Sequence, residues 1–336
     1  MSGHAAPFDP GNPELDPVLD QMAAVVIGKR GVVEAVLCAV LAGGHVLLED
    51  VPGVGKTLLA KTLARSLDLS FARVQFTPDL LPADLVGSHL WDPREAVFRF
   101  RAGPLFHHLV LADEINRASP RTQSALLEAM EEAQVTVEGT TYPLPRPFLV
   151  IATANARTDA GTFPLPEAQL DRFLFRLHLG YPSPEEEVAL LRQAAQAEKG
   201  PPRPLLGVEA VLRLQQEVRA VRVADAILRY VAQIAHRTRT HPALALGASP
   251  RAAVALVRGA QAWALLHGRR FVVPDDVRTL LPWVLGHRLV PRPETAPFPL
   301  DLGEGWDEAA GGSRSWTSQV LRQIVEAVDL PGGEGR

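Results

Sequence analysis

The chain reads as an α/β protein, a parallel sheet with flanking helices followed by a smaller all-helical unit. Three observations predict this. From His45 to about Gly180, short apolar runs rich in β-formers alternate with helical stretches. A glycine-rich loop separates the first of these runs from the helix that follows it. After Pro182 the strand signal disappears and helical periodicity takes over.

Taken in order, Met1 to Pro17 is acidic and proline-rich and lacks the basic-then-apolar pattern of a leader. The longest apolar stretch, Ala35 to Leu48, contains Gly43, Gly44 and His45, and is shorter than the about 20 residues a bilayer span needs. Strands are expected at His45–Glu49, Phe71–Phe76, Leu109–Ala112, Phe148–Thr153 and Leu174–Leu179. Helices are expected between them at Lys56–Leu67 and Arg121–Glu132, where Leu126, Leu127 and Met130 recur at helical spacing. Ser119 and Pro120 supply the second with an N-cap and a first-turn proline.

Beyond Pro182, helices are expected at Pro184–Gln196, Val208–Val221, Asp225–Thr240, Pro250–His267 and Pro274–Leu285, several opened by Asp, Ser or Pro. An irregular stretch from Pro291 to Gly312 precedes a final amphipathic helix marked by Leu321, Ile324, Val325 and Val328. The division expected is therefore 1–182 for the α/β unit (1–17 being its acidic lead-in), 183–290 for the helical unit and 291–336 for the C-terminal segment.

With 34 basic and 38 acidic residues the net charge is −4, which gives no general attraction to nucleic acid or anionic membrane. The one cysteine, Cys38, lies in an apolar run; it excludes a disulfide within the chain and reads as a small buried hydrophobe. These features together suggest a soluble cytoplasmic protein.

The sharpest chemical signal is Asp50-Val51-Pro52-Gly53-Val54-Gly55-Lys56-Thr57, placed after an expected strand and opening an expected helix. Backbone N–H groups near Gly53 and Gly55 can converge on phosphate oxygens because glycine allows the dihedrals without obstruction, and the positive end of the helix dipole adds to the attraction. Lys56 suits the β- and γ-phosphates, and the Thr57 hydroxyl suits Mg²⁺. The usual pattern of such loops has glycine where Asp50 stands; at a strand end, remote from the phosphates, that change is tolerable.

Further along, the apolar run Leu109-Val110-Leu111-Ala112 ends in two carboxylates. Asp113 suits Mg²⁺, directly or through water, and Glu114 suits polarising an attacking water. Asn155 ends the next expected strand, where its amide could hold the γ-phosphate or the water, or simply cap a solvated turn. Arg172 precedes the last expected strand. Arg251 falls in a first helical turn capped by Ser249, against the preference of the macrodipole, which points to an anionic partner. Either arginine could instead belong to a plain surface ion pair.

These residues together resemble the MoxR family of AAA+ ATPases, P-loop NTPases with a helical lid. The matching text is Leu48 to Thr57, Ala112-Asp113-Glu114-Ile115-Asn116-Arg117-Ala118, Thr122 to Glu131 and Gly161 to Phe173, and the likeness extends over about Val25 to Leu289. The resemblance implies that Gly53, Val54, Gly55, Lys56 and Thr57 are Walker A, with Leu58 beside the nucleotide, and that Asp113-Glu114 is Walker B. It makes Asn155 sensor 1, Arg251 sensor 2 on the lid, Arg172 the arginine finger given to a neighbouring subunit, and Val26-Ile27-Gly28 a segment that packs on adenine, although bland loop packing suits that segment too. Family members often read Gln-Asn-Pro where this chain has Ala154-Asn155-Ala156.

The resemblance also marks Thr77 to Phe106 as an insertion in the second helix and Val135 to Leu144 as a hairpin. It implies binding and hydrolysis of ATP with Mg²⁺, a homo-oligomeric ring, usually hexameric, and chaperone-like remodelling or maturation of protein complexes. A von Willebrand factor A domain protein would be the partner, acting in trans. Competing readings are a nucleic-acid motor, a non-hydrolysing nucleotide switch and a magnesium-chelatase-like subunit. The first lacks a basic stripe, and Glu114, Asn155 and Arg172 speak against the second.

Overall fold

Near-continuous apolar runs make strands that must be covered on both faces, and that requirement organises the chain. The structure, a computed structural model, describes residues 10–51, 53–154, 162–195, 200–294 and 316–331. Helices α1 (Asp16–Val25) and α2 (Arg30–Ala42) precede strand β1 (His45–Glu49), and α3 (Lys56–Ser66) leads from it to β2 (Phe71–Gln75). The short α4 (Pro82–Val86) and the hairpin β3 (Gly87–Asp92) to β4 (Val97–Ala102) precede β5 (Leu109–Asp113). Then come α5 (Pro120–Glu132), the hairpin β6 (Gln134–Val137) to β7 (Thr140–Pro143), β8 (Leu149–Ala154), α6 (Glu167–Leu170) and β9 (Phe173–Leu177).

The central sheet has the order β2-β5-β8-β1-β9 with every pair parallel. Alternate side chains go to opposite layers. Leu47, Val110, Val150 and Phe173 join the core beneath α5, whereas Val46, Leu111, Ile151 and Phe175 join the larger core shared with α2, α3 and the helical half. Truncating a fully buried leucine such as Leu47 or Leu111 to alanine is worth about 2–5 kcal/mol in such a layer. Cys38 is buried in the larger core, where loss of water pushes its thiol pKa well up.

The helical half comprises α7 (Pro184–Ala195), α8 (Val208–Ala220), α9 (Asp225–Thr240), α10 (Pro250–Leu266), α11 (Pro274–Leu285) and, after a further segment, α12 (Trp316–Glu326). Ser119 and Ser249 cap α5 and α10 by accepting the N–H of Thr122 and Ala252. This half also holds an antiparallel pair, β10 (Leu244–Leu246) with β11 (Val290–Pro291), which the disappearance of strand signal did not foresee. Strands of three and two residues carry no readable period.

The last sheet strand runs Phe173–Leu177 and so stops short of Leu179. The Leu179 N–H is taken instead by the Asp50 carboxylate, which replaces a ladder partner. At the insertion, Trp91 and Phe98 are exposed near the hairpin tip, while Phe100 stacks on Tyr142 of β7 at 4.1 Å and ties the two hairpins together. Among the described residues no helix is long and apolar enough to cross a membrane.

Candidate active site

The glycine loop leaves the carboxyl end of β1, in the interior of a parallel sheet, where open α/β folds place their ligands. Gly53 and Gly55 have φ of 87° and 98°, and nothing lies within 4 Å of where a side chain would begin. The dihedral alone therefore selects glycine there. Lys56 opens α3 with its ammonium buried against the loop, donating to the carbonyls of Asp50 at 2.9 Å and Val51 at 3.2 Å. Burial pulls its pKa down, while the carboxylates of Asp50, Asp113 and Glu114 oppose the fall, so the acid that ends β5 and the one after it both act on this ammonium. Thr57 is half-buried in the first turn of α3, and Leu58 beside it is exposed.

Asp50 does more than the sequence suggested. Its carboxylate is buried and accepts the backbone N–H of Leu179 and, at 3.1 Å, of Gly180, so it fastens the root of the loop to the end of β9. Burial raises its pKa, and those two N–H groups together with His178 and Lys56 oppose the rise.

On β5, Asp113 is buried. Its Oδ1 accepts the Thr153 hydroxyl at 2.6 Å, and its Oδ2 accepts Arg73 Nη2 at 2.6 Å and Nε at 3.2 Å. Glu114 sits at φ 57°, left-handed for a residue with a side chain, and its N–H donates to Thr153 Oγ1 at 2.8 Å. This turn swings its carboxylate out of strand alternation, where Oε2 accepts Gln75 at 2.9 Å and Arg117 at 3.0 Å. Arg73, Gln75 and Thr153 were not singled out from the sequence. The available signal was the alternation of polar Arg73 and Gln75 with buried Val74 on β2, which becomes meaningful only once β2 is known to pair with β5.

The adenine-facing candidates divide. Val26 caps α1 and is buried in the core, whereas Ile27 is half-buried and Gly28 exposed. At Gly28, φ is 77° and a Cβ would lie 2.1 Å from the Glu186 carboxyl carbon, so α7 closes directly over this turn. Leu58 lines a cavity of about 900 Å³ with Val25, Lys61, Arg65 and Leu190. Asn155 lies outside the described residues.

Arg172 and Arg251 come together, but at the opposite edge of the sheet. Phe173 pairs with His45, the first residue of β1, whereas the glycine loop follows its last residue. Five residues of strand put roughly 13 Å between these edges. Glu131, in the last turn of α5, bridges the two arginines, at 3.0 Å from Arg172 Nε and 2.9 Å from Arg251 Nη1. Asp171 lies 4.0 Å from Arg251 and 2.5 Å from Arg288. The anionic partner that the helix-start position of Arg251 calls for is thus a carboxylate of its own chain. His45 secures this edge, accepting the Val150 N–H on Nδ1 and directing Nε2 to the Met130 carbonyl at 3.0 Å.

The specific text of the sequence has structural duties as well. Gln123, buried within TQSALLEAME, donates to the carbonyls of Ile115, Ala118 and Phe163, locking the turn after β5 to the segment that leads to Arg172. Thr122 of the same text donates to the Leu80 carbonyl at 2.7 Å.

Comparison with known proteins agrees with this architecture. The model of the ATPase family associated with various cellular activities (AAA) matches residues 45–175, and that of the AAA lid domain matches residues 236–301. A parallel core of this order with a helical lid is the AAA+ ATPase class. Chaperone MoxR1 of Mycobacterium tuberculosis is 42% identical over 287 residues, covering 82% of this chain and 75% of the relative. The uncharacterised protein YeaC of Bacillus subtilis is 47% identical over 324 residues, 95% of this chain and 96% of its own. A solved structure of a proposed ATPase from Cytophaga hutchinsonii superimposes with a TM-score of 0.83 at 37% identity, over 94% of both chains. The chain belongs to the MoxR family of AAA+ ATPases.

Proposed function

We propose that this chain binds ATP with Mg²⁺ on the loop 53–58 and hydrolyses it at the junction between two copies. The placement of phosphate loop and acids at one edge of the sheet, with Arg172 and Arg251 at the other, carries this reading. Gly53 to Gly55 and the start of α3 supply the Walker A cradle, with the Lys56 ammonium as a point charge for the β- and γ-phosphates. The Thr57 hydroxyl and the Asp113 carboxylate, both hard oxygen donors, fit Mg²⁺, which takes few protein ligands and completes its shell with phosphate and water. When bound, that ion neutralises phosphate charge. Glu114 draws the proton of the attacking water, its carboxylate oriented by Gln75 and Arg117. Asn155 steadies the γ-phosphate or the water, and Arg172 with Arg251 presents positive charge to the next subunit's nucleotide.

The assembly proposed is a homo-oligomeric ring, hexameric as is usual for AAA+ proteins, working in the cytoplasm on protein complexes in a chaperone-like way. The relative named Chaperone MoxR1 supports that role. A von Willebrand factor A domain protein would be its partner in trans. Glu114→Gln tests the chemistry: it should bind ATP as the wild type does and lose about 10²- to 10⁴-fold in turnover. Near-normal hydrolysis by this variant would remove the catalytic base from Glu114.

A further inference from the structure

The edge strand β2 brings a guanidinium onto the carboxylate that the proposed site needs for its metal. Arg73 and Gln75 are two apart and share a face, while Val74 between them goes into the core. The parallel register sets Gln75 beside Asp113 and Arg73 beside Leu111, so Arg73 reaches along the strand to Asp113 Oδ2 with two N–H groups. Oδ1 is taken by Thr153. The Asp113 side chain is 12% exposed and that of Arg73 is 47% exposed, so the carboxylate is sealed and the guanidinium covers it from the open side.

We propose that Arg73 is a positioning residue that competes with the divalent cation for Asp113, setting the Mg²⁺ concentration at which the site loads. This rests on the reading of Asp113 as a metal ligand. An oxygen that already accepts two N–H groups offers its lone pairs to a cation only when the guanidinium swings aside. The half-exposed side chain has solvent to swing into, and entry of Mg²⁺ exchanges one positive neighbour for another of higher charge density. Arg73 therefore weakens metal binding while keeping the Asp113 carboxylate aimed. A purely structural Arg73 would do the reverse, since its loss would disorder the carboxylate and weaken binding.

The test is titration of Mn²⁺ onto the ADP complex of the full chain, followed by electron paramagnetic resonance of the free ion and independent of turnover. Arg73→Gln should bind Mn²⁺ about two- to fivefold more tightly than wild type, within the range for an ion pair with one half-exposed partner. The gap should narrow at high ionic strength. Arg73→Lys keeps the charge but loses the fork, and should fall between the two. Equal or weaker Mn²⁺ binding by Arg73→Gln, with an unchanged thermal melt, overturns the proposal. If Asp113→Asn binds Mn²⁺ as tightly as wild type, Asp113 is no ligand, and the underlying reading falls instead.

Discussion

At the carboxyl edge of the central sheet the acids Asp113 and Glu114 are held by Arg73, Gln75 and Arg117. At the amino edge the cations Arg172, Arg251 and Arg288 are held by Glu131 and Asp171. One edge carries the glycine loop and lacks the arginine pair; the other carries the pair and no such loop. Within one chain the length of β1 separates them. The amino edge is also open. The Arg251 and Glu131 side chains are 49% and 36% exposed, within reach of another molecule.

Breaking the amino edge should have the largest effect. Arg172→Ala should retain nucleotide binding and lose roughly 10³–10⁵ in hydrolysis, the range for a trans-acting arginine. Mixed with Lys56→Ala, it should regain partial activity, because its sound loop then receives Arg172 from the neighbour. Mixing without recovery would show that the two edges do not meet between copies.

Acid should weaken the same edge. His45 is buried and hydrogen-bonded neutral, and burial lowers its pKa from the ordinary 6.5 to about 4. His287, directed at the Phe173 carbonyl, is held well below its ordinary value, chiefly by burial and then by Arg288 and Arg176. Such groups take up protons in the unfolded chain first. Their contribution is complete above pH 6.5 and is lost as pH falls towards 4, on the order of 3 kcal/mol for His45. Urea midpoints at pH 7.5, 6 and 5 should decline in that order, and a flat profile would contradict the buried neutral assignment.

The smallest effect sharpens the comparison. Glu131→Gln loosens both arginines without touching the loop, so nucleotide affinity should stay within about twofold while hydrolysis falls about tenfold, through misplacement alone. A loss of affinity would mean that the two edges communicate within one chain.

How far the sequence was legible depended on whether a feature is local. β1 was read to the residue, and β5 and β8 to within one, because buried parallel strands are unbroken apolar runs bounded by polar loops. The capping serines of α5 and α10 were legible for the same reason. The Arg73–Asp113 contact was not, since residues 40 apart in the chain meet only because β2 lies beside β5, and element order does not state strand order. Glu131 was hidden likewise. Inside TQSALLEAME it reads as one more solvated helix acid, and only the fold carries Arg172 and Arg251 to it. Asp50 looked like a tolerated departure because its two backbone partners are 129 and 130 residues away.

Asp50 has a mechanical consequence. The chain leaves the sheet at Leu177 and enters the helical half at Pro184, and Asp50 grips Leu179 and Gly180 within that short crossing. Lys29 grips the next carbonyl, of Tyr181, at 3.2 Å. The crossing that joins the sheet to the helical half is therefore riveted to the residue that precedes the glycine loop. Lid and loop thus share one anchored stretch of chain. Were the lid to tilt about it, the pull would reach the loop through Asp50, and by linkage a ligand that reshaped the loop would bias the lid by the same free energy.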